Sequence, residues 1–155
     1  MNEIFDTLKV PGPIPTAISE PFWSAVRRGE FVLQRCDDCE RWVFYPRAHC
    51  PHCWSARLAW RPASGHGVVK SFSVIHRPGH FAWADVAPYV IALIELDEGP
   101  TMLSQLLLAS PDDASVGLRV AVRPVQIGEF ALPFFAPHAT DAPASVSAGQ
   151  PANHP

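Results

Sequence analysis

The sequence predicts a mostly β protein: a short N-terminal helix, a small metal-binding ribbon, and a five-stranded barrel. Three features lead to this. Cysteines occur as two C-x-x-C pairs, Cys36/Cys39 and Cys50/Cys53, with ten residues between the pairs. Beyond Gly67 come five apolar segments of strand length, several with period-2 alternation. Hydrophobic residues make up 48% of the 155-residue chain and charged residues only 17%, enough apolar side chain for a core and too little charge for wholesale disorder. Length limits the chain to one ordinary domain, or a metal-stapled module beside one short β domain.

Residues 1–18 carry Pro11, Pro13 and Pro15, which remove backbone donors and favour extended chain, so this segment is expected to be an arm. Residues 19–30 are expected to form a helix with Ser19 as its cap, Glu20 and Pro21 in the first turn, and Gly29 at its end. Its apolar face, Phe22, Trp23 and Val26, packs either on its own domain or on another subunit, where Phe22 and Trp23 would be large anchors.

Residues 31–62 form the cysteine module, with short strands at Phe31–Gln34, Trp42–Tyr45 and Leu58–Trp60. A C-x-x-C turn puts two thiolates on one side of a tight knuckle, and two facing knuckles supply a tetrahedron. Four sulfurs close the coordination shell and leave no position for water or substrate, so a structural zinc ion is expected on Cys36, Cys39, Cys50 and Cys53. A redox-active pair, iron in the same ligands, or two disulfides are the competing readings. His49 and His52 flank the second knuckle and read as loop residues rather than ligands. Arg35 and Arg47 stand close enough in sequence to offset the net charge of about −2 on a zinc tetrathiolate.

Residues 63–136 contain the barrel segments: Val68–His76, Tyr89–Leu96, Thr101–Leu107, Leu118–Val125 and Phe130–Phe135. Asp97-Glu98-Gly99 reads as a hairpin turn. A partly open five-stranded barrel of this size fits the description of the OB-fold, with a small sandwich as the alternative. Residues 137–155 are rich in Ala, Pro and Ser without aromatic residues, and are expected to be a flexible tail.

A net charge of −3, with Lys70 the only lysine after Lys9, argues against phosphate neutralisation as the main task. Tyr89–Leu107 holds Glu95, Asp97 and Glu98 and no Lys or Arg, which disfavours single-stranded nucleic acid on an OB-fold. No apolar run approaches the roughly 20 residues of a bilayer span, and Asp6 and Lys9 stand where a signal peptide needs its apolar core, so a cytoplasmic location is expected. No G-x-S-x-G elbow and no phosphate-cradling glycine loop is present in the sequence.

Pro21-Phe22-Trp23, Gln34-Arg35-Cys36-x-x-Cys39, Tyr45-Pro46-Arg47-x-x-Cys50-Pro51-x-Cys53, Ser64-Gly65-x-Gly67 and Ser71-Phe72-Ser73-Val74-Ile75-His76 together resemble a known family. These are the acyl-CoA-associated proteins with an N-terminal helix, a rubredoxin-like zinc ribbon and an OB-fold, long catalogued as a domain of unknown function. The resemblance spans roughly residues 19–136, with Glu40 where the family usually has glycine. It implies a non-catalytic accessory subunit of a thiolase-like or hydratase-like enzyme acting on acyl-CoA in lipid metabolism, including steroid side-chain breakdown. It further implies a hetero-oligomer in which the partner carries the catalytic residues. On that reading Arg47, His76 and Arg77 are candidates for contact with CoA or the partner, against a solvated-loop reading. Phe22, Trp23, Phe81 and Trp83 are candidates for docking, against packing over the barrel mouth. A self-sufficient acyl-CoA enzyme and a nucleic-acid-binding protein are the rival functions.

Overall fold

The structure, a computed structural model, describes residue 5 and residues 8–138. After an extended N-terminal stretch come helix α1 (Glu20–Arg27) and strands β1 (Val32–Cys36), β2 (Trp42–Val43) and β3 (Leu58–Pro62). The remaining strands are β4 (His66–Ile75), β5 (Tyr89–Leu96), β6 (Thr101–Leu106), β7 (Arg119–Ile127) and β8 (Phe130–Pro137). No helix among the described residues is long and apolar enough to cross a membrane.

Helix α1 starts with Pro21 in its first turn, where a missing N–H costs nothing. Glu20 lies at the positive end of the helix dipole and also accepts from Ser24 Oγ at 2.6 Å and Arg27 Nη2 at 3.0 Å. Ser19 does not cap this helix, contrary to expectation: its own backbone is already helical, and its hydroxyl accepts from the Thr16 N–H at 2.9 Å, closing the preceding turn. Gly29 ends the helix at φ +78°, a conformation that favours glycine, and lets the Glu30 N–H reach the Ala25 carbonyl at 2.9 Å. The face carrying Phe22, Ala25 and Val26 is buried against β1, β7 and β8.

The first sheet has the order β2-β1-β3, antiparallel throughout, with Gln34 opposite both Val43 and Trp60. Gln34 is buried, and its amide both donates to the Arg47 carbonyl at 3.0 Å and accepts from the Arg47 N–H at 2.8 Å. That pair of hydrogen bonds fixes the approach of the chain to the second cysteine pair.

The second sheet is a closed barrel of order β4-β5-β6-β8-β7. Neighbours are antiparallel except β6 and β8, which run parallel and meet only at Leu106 and Phe135. Pairing of His66–Val68 with Arg119–Ala121 closes the circle and rules out the sandwich; the barrel is more complete than the partly open one expected. Val69, Val90, Ile94, Val120 and Phe135 fill its interior, and Phe22, Val26, Phe31 and Leu33 extend the same core toward the helix and ribbon. At Gly67 a Cβ would stand 2.6 Å from the Glu95 carbonyl oxygen, so the close approach of β4 to β5 requires glycine there.

The proline-rich N-terminal stretch is laid against the barrel. Phe5, Leu8 and Val10 are buried with Val125, Ile127 and Phe134, and the Phe5 and Phe134 rings meet edge-to-face at 5.6 Å. The segment from Phe81 to Val86 forms a 3₁₀ turn whose first amide, Ala82 N–H, is accepted by His80 Nδ1 at 3.2 Å. The flexible tail expected for residues 137–155 lies, from residue 139 onward, outside the described residues.

Candidate metal centre

Cys36 closes β1, Cys39 follows one turn later, and Cys50 and Cys53 repeat that arrangement across the ribbon. The two knuckles share one hydrogen-bond scheme. Glu40 N–H donates to Cys36 O at 3.0 Å and Trp54 N–H to Cys50 O at 2.9 Å, while Cys36 N–H and Cys50 N–H donate to Arg41 O and Ser55 O at 2.9 and 2.8 Å. Both residues that follow a knuckle are left-handed, Glu40 at φ +60° and Trp54 at φ +64°, although neither is glycine. Glu40 therefore adopts the geometry that a glycine would adopt without strain. Replacing it, Glu40→Gly, is expected to stabilise the metal-loaded protein by about 0.5–1 kcal/mol, the left-handed strain relieved less the exposed ion pair with Arg35. Denaturant unfolding of the two proteins measures this; a loss of stability would contradict it.

The four sulfurs lie within 4.8 Å of one another, with Cys36–Cys53 and Cys39–Cys50 separations of 3.6 Å each. A tetrahedron with metal–sulfur bonds of about 2.3 Å has edges of about 3.8 Å, whereas a disulfide needs about 2.05 Å. The set is thus shaped for one tetrahedral metal ion and not for two disulfides. His52 is outside the set: its ring contacts Arg41 Nη1 at 3.3 Å, and only its backbone N–H points to Cys50 Sγ, at 3.4 Å.

Without metal, Cys36, Cys50 and Cys53 have unequal proton affinities. The Cys39 backbone N–H lowers the pKa of Cys36. At Cys50 burial opposes ionisation but the amides of His52 and Cys53 outweigh it, and the pKa is again lowered. At Cys53 the Ser55 amide favours the thiolate, yet burial and the three neighbouring thiols prevail and push the pKa up to about 12. A bound cation must displace that last proton, so metal binding is expected to weaken as pH falls.

Polar residues that the sequence did not single out brace the knuckles. Asp38, in the first, accepts from Ser55 Oγ and from Arg57, both beyond the second knuckle. Arg35 Nε donates to Glu40 O at 3.0 Å and its Nη2 lies 3.7 Å from the Glu40 carboxylate, so this guanidinium braces the first knuckle through Glu40. Arg47 instead turns its Nε to Tyr45 O at 3.2 Å.

The other candidate residues are dispersed. His76 and Arg77 are exposed just beyond β4, and no hydrogen bond or ion pair joins them to Arg47 among the described residues. Phe22 is 2% exposed and belongs to the core, so it offers no docking surface. Trp23 beside it is half-buried, its ring 5.1 Å from that of Phe22. Trp83 packs half-buried with the cluster around Phe5, whereas Phe81 is 85% exposed and stacked on His80. Leu93 and Leu103, directly opposite on β5 and β6, are both exposed. Their outward direction had no signal in the sequence, since Val90–Ile94 is apolar at every position; it follows from alternation with Ala92, Ile94 and Met102, which the structure buries.

Helix, four-thiolate ribbon and closed barrel with a parallel β6–β8 contact define a zinc-ribbon/OB-fold protein. Residues 23–59 match the family described as "ChsH2, rubredoxin-like zinc ribbon domain", and residues 60–124 match "ChsH2, C-terminal OB-fold domain". The chain belongs to this ChsH2-type, DUF35 family. It is 37% identical over 92 residues to a "DUF35 domain-containing scaffold protein" of Methanothermobacter thermautotrophicus, covering 59% of this chain and 68% of that protein. It is 36% identical over 118 residues to a "Probable enoyl-CoA hydratase alpha subunit" of Thermomonospora curvata, covering 75% of this chain and 36% of that protein. The chain thus spans about a third of the length of that hydratase subunit. Among solved structures, a chain of the "Ltp2-ChsH2(DUF35) aldolase" aligns with a TM-score of 0.73 at 33% identity, covering 81% of this chain and 98% of the other.

Proposed function

We propose that the protein is a non-catalytic accessory subunit of a thiolase-like or hydratase-like enzyme acting on acyl-CoA. The observation that carries this reading is the likeness, over almost the whole of that other chain, to a component of the Ltp2-ChsH2(DUF35) aldolase. Names of relatives as scaffold protein and hydratase alpha subunit support it from sequence. In this role the metal is a structural zinc ion, since four thiolates fill its coordination shell and leave no open position for chemistry. The partner supplies the acid, base or nucleophile, and Arg47, His76 and Arg77 are the cationic and titratable groups available to a CoA phosphate at its edge.

Docking is assigned to Trp23, Phe81 and Trp83, the candidate aromatics with surface left to cover, together with the exposed Leu93–Leu103 pair. The same β5–β6 face speaks against nucleic acid: it presents leucines, and its Glu95 is occupied by Lys70 at 2.9 Å. Co-expression with a candidate thiolase-like or hydratase-like acyl-CoA enzyme from the same organism should give a stable complex whose turnover drops when this chain is omitted. Trp23→Ala and Phe81→Ala should each weaken the complex by about 2 kcal/mol, roughly thirtyfold, in a titration of purified components. Full turnover by the partner alone would refute the accessory role; intact affinity in both variants would move the docking surface elsewhere.

A further inference from the structure

We propose that Phe5, Leu8, Val10 and Gly12 of the N-terminal arm form a strap that holds the Phe81–Val86 turn in the shape that offers Phe81 and Trp83 to a partner protein. The turn does not hold its place through its backbone. Its hydrogen bonds close on themselves: Ala82 N–H donates to His80 Nδ1 at 3.2 Å, Trp83 N–H to His80 O at 3.1 Å and Ala87 N–H to Ala84 O at 3.2 Å. None joins it to another element among the described residues. Its ring contacts, Phe81 on His80 and Trp83 with Tyr89 at 6.1 Å, are equally local. A 3₁₀ turn of six residues has little stability of its own, so side-chain packing sets its position. Ala82, Trp83 and Val86 pack on one buried cluster, and three of its six buried members, Phe5, Leu8 and Val10, belong to the arm. Phe5 and Val86 also line the same small cavity of about 140 Å³.

The arm is attached in the same way. Pro11, Pro13 and Pro15 have no N–H to give, and no hydrogen bond joins residues 8–15 to the barrel among the described residues. Gly12 lets the arm lie close to β8: a Cβ there would stand 2.5 Å from the ring of Phe130, which packs on the same cluster. Held by three buried side chains against the entropy of ordering, the strap belongs with the parts of a fold that open most readily, and the turn opens with it. That the turn docks a partner rests on the accessory role proposed above; that the arm holds the turn does not.

The test compares amide hydrogen exchange, read by NMR, in the zinc-loaded full chain and three variants. Phe5→Ala/Leu8→Ala/Val10→Ala strips the contacts, Gly12→Val pushes the arm off Phe130, and Ile14→Ala alters an exposed position of the same arm. The first two should speed exchange at Trp83 and Ala87 by about tenfold or more, with zinc content and protection at Tyr89–Leu96 unchanged, and Ile14→Ala should match the wild type. If the triple variant loses zinc or that protection, Gly12→Val decides. With a purified partner enzyme the triple variant should bind about tenfold more weakly, and Phe81→Ala should cost distinctly less affinity in it than in the wild type, because a loosened turn no longer presents that ring. Unchanged exchange at Trp83 and Ala87 in the folded variants, or an equal cost of Phe81→Ala in both backgrounds, would overturn the proposal. Faster exchange in the turn without any complex would refute the accessory role and leave the strap standing.

Discussion

Stripping the metal with excess chelator, or replacing Cys50 by serine, is expected to unfold the ribbon over residues 31–62 while the barrel keeps its strands. The reason is the size of the ribbon's own core around the site. Its buried members are Cys36, Val43 and Cys50, with Cys39 and Leu58 packed beside them, so three of five side chains are ligands. Binding free energies on the order of 10–16 kcal/mol for structural zinc in finger peptides exceed anything two aliphatic side chains contribute by burial, about 1.5–3 kcal/mol each. Metal analysis should find one zinc per wild-type chain and none held stoichiometrically by Cys50→Ser. Hydrogen exchange should show lost protection at Val32–Cys36 and Leu58–Pro62 and retained protection at Tyr89–Leu96. A stripped protein with unchanged exchange in β1 would mean that the metal does not hold the ribbon together.

Phe22→Ala is expected to destabilise the protein by about 3–5 kcal/mol, lowering the midpoint of thermal unfolding by roughly 10 °C. Phe22 is the side chain at which the helix, the ribbon and the barrel core meet. Its ring lies 5.7 Å from Phe44 after β2 and 6.2 Å from Phe31, and Phe31 in turn meets Phe135 of β8 edge-to-face at 6.2 Å. Truncation removes these ring contacts and leaves a cavity at that junction. Trp23→Ala, at a half-buried position, should cost distinctly less stability and act mainly on partner binding. Equal costs in denaturant melts of the two variants would contradict this division of labour between adjacent aromatics.

That division could not be read from the sequence, where Phe22 and Trp23 are equally large apolar residues on one short helix. Helical geometry sends adjacent side chains about 100° apart, and only the position of β1 and β8 decides which of the two is covered. Ser19 shows the same limit on a smaller scale. Serine before Glu20-Pro21 is a good capping signal, but the Thr16 amide, placed by the incoming chain, competes for the hydroxyl and takes it. These strands were legible almost to the residue: Tyr89–Leu96 was expected at the bounds observed, and Thr101 begins its strand as read. Each has a local signal, an apolar stretch of strand length bounded by turn residues, that does not depend on the rest of the fold.

By itself the sequence determined the four-thiolate centre, the helix–ribbon–barrel order and the family resemblance. The metal ligands are paired at three-residue spacing, so the chain can bring each pair together within one turn whatever surrounds it. Only the tertiary structure decided that the proline-rich stretch lies along the barrel through Phe5, Leu8 and Val10, and that β4 closes on β7. It also decided that β6 and β8 meet at a single contact and that the Phe81–Val86 turn packs on the same cluster as that stretch. These features join residues tens of positions apart, and no local spacing encodes them. They follow from how a twisted sheet closes on itself and from which apolar surface remains for the arm, the helix and the ribbon to cover.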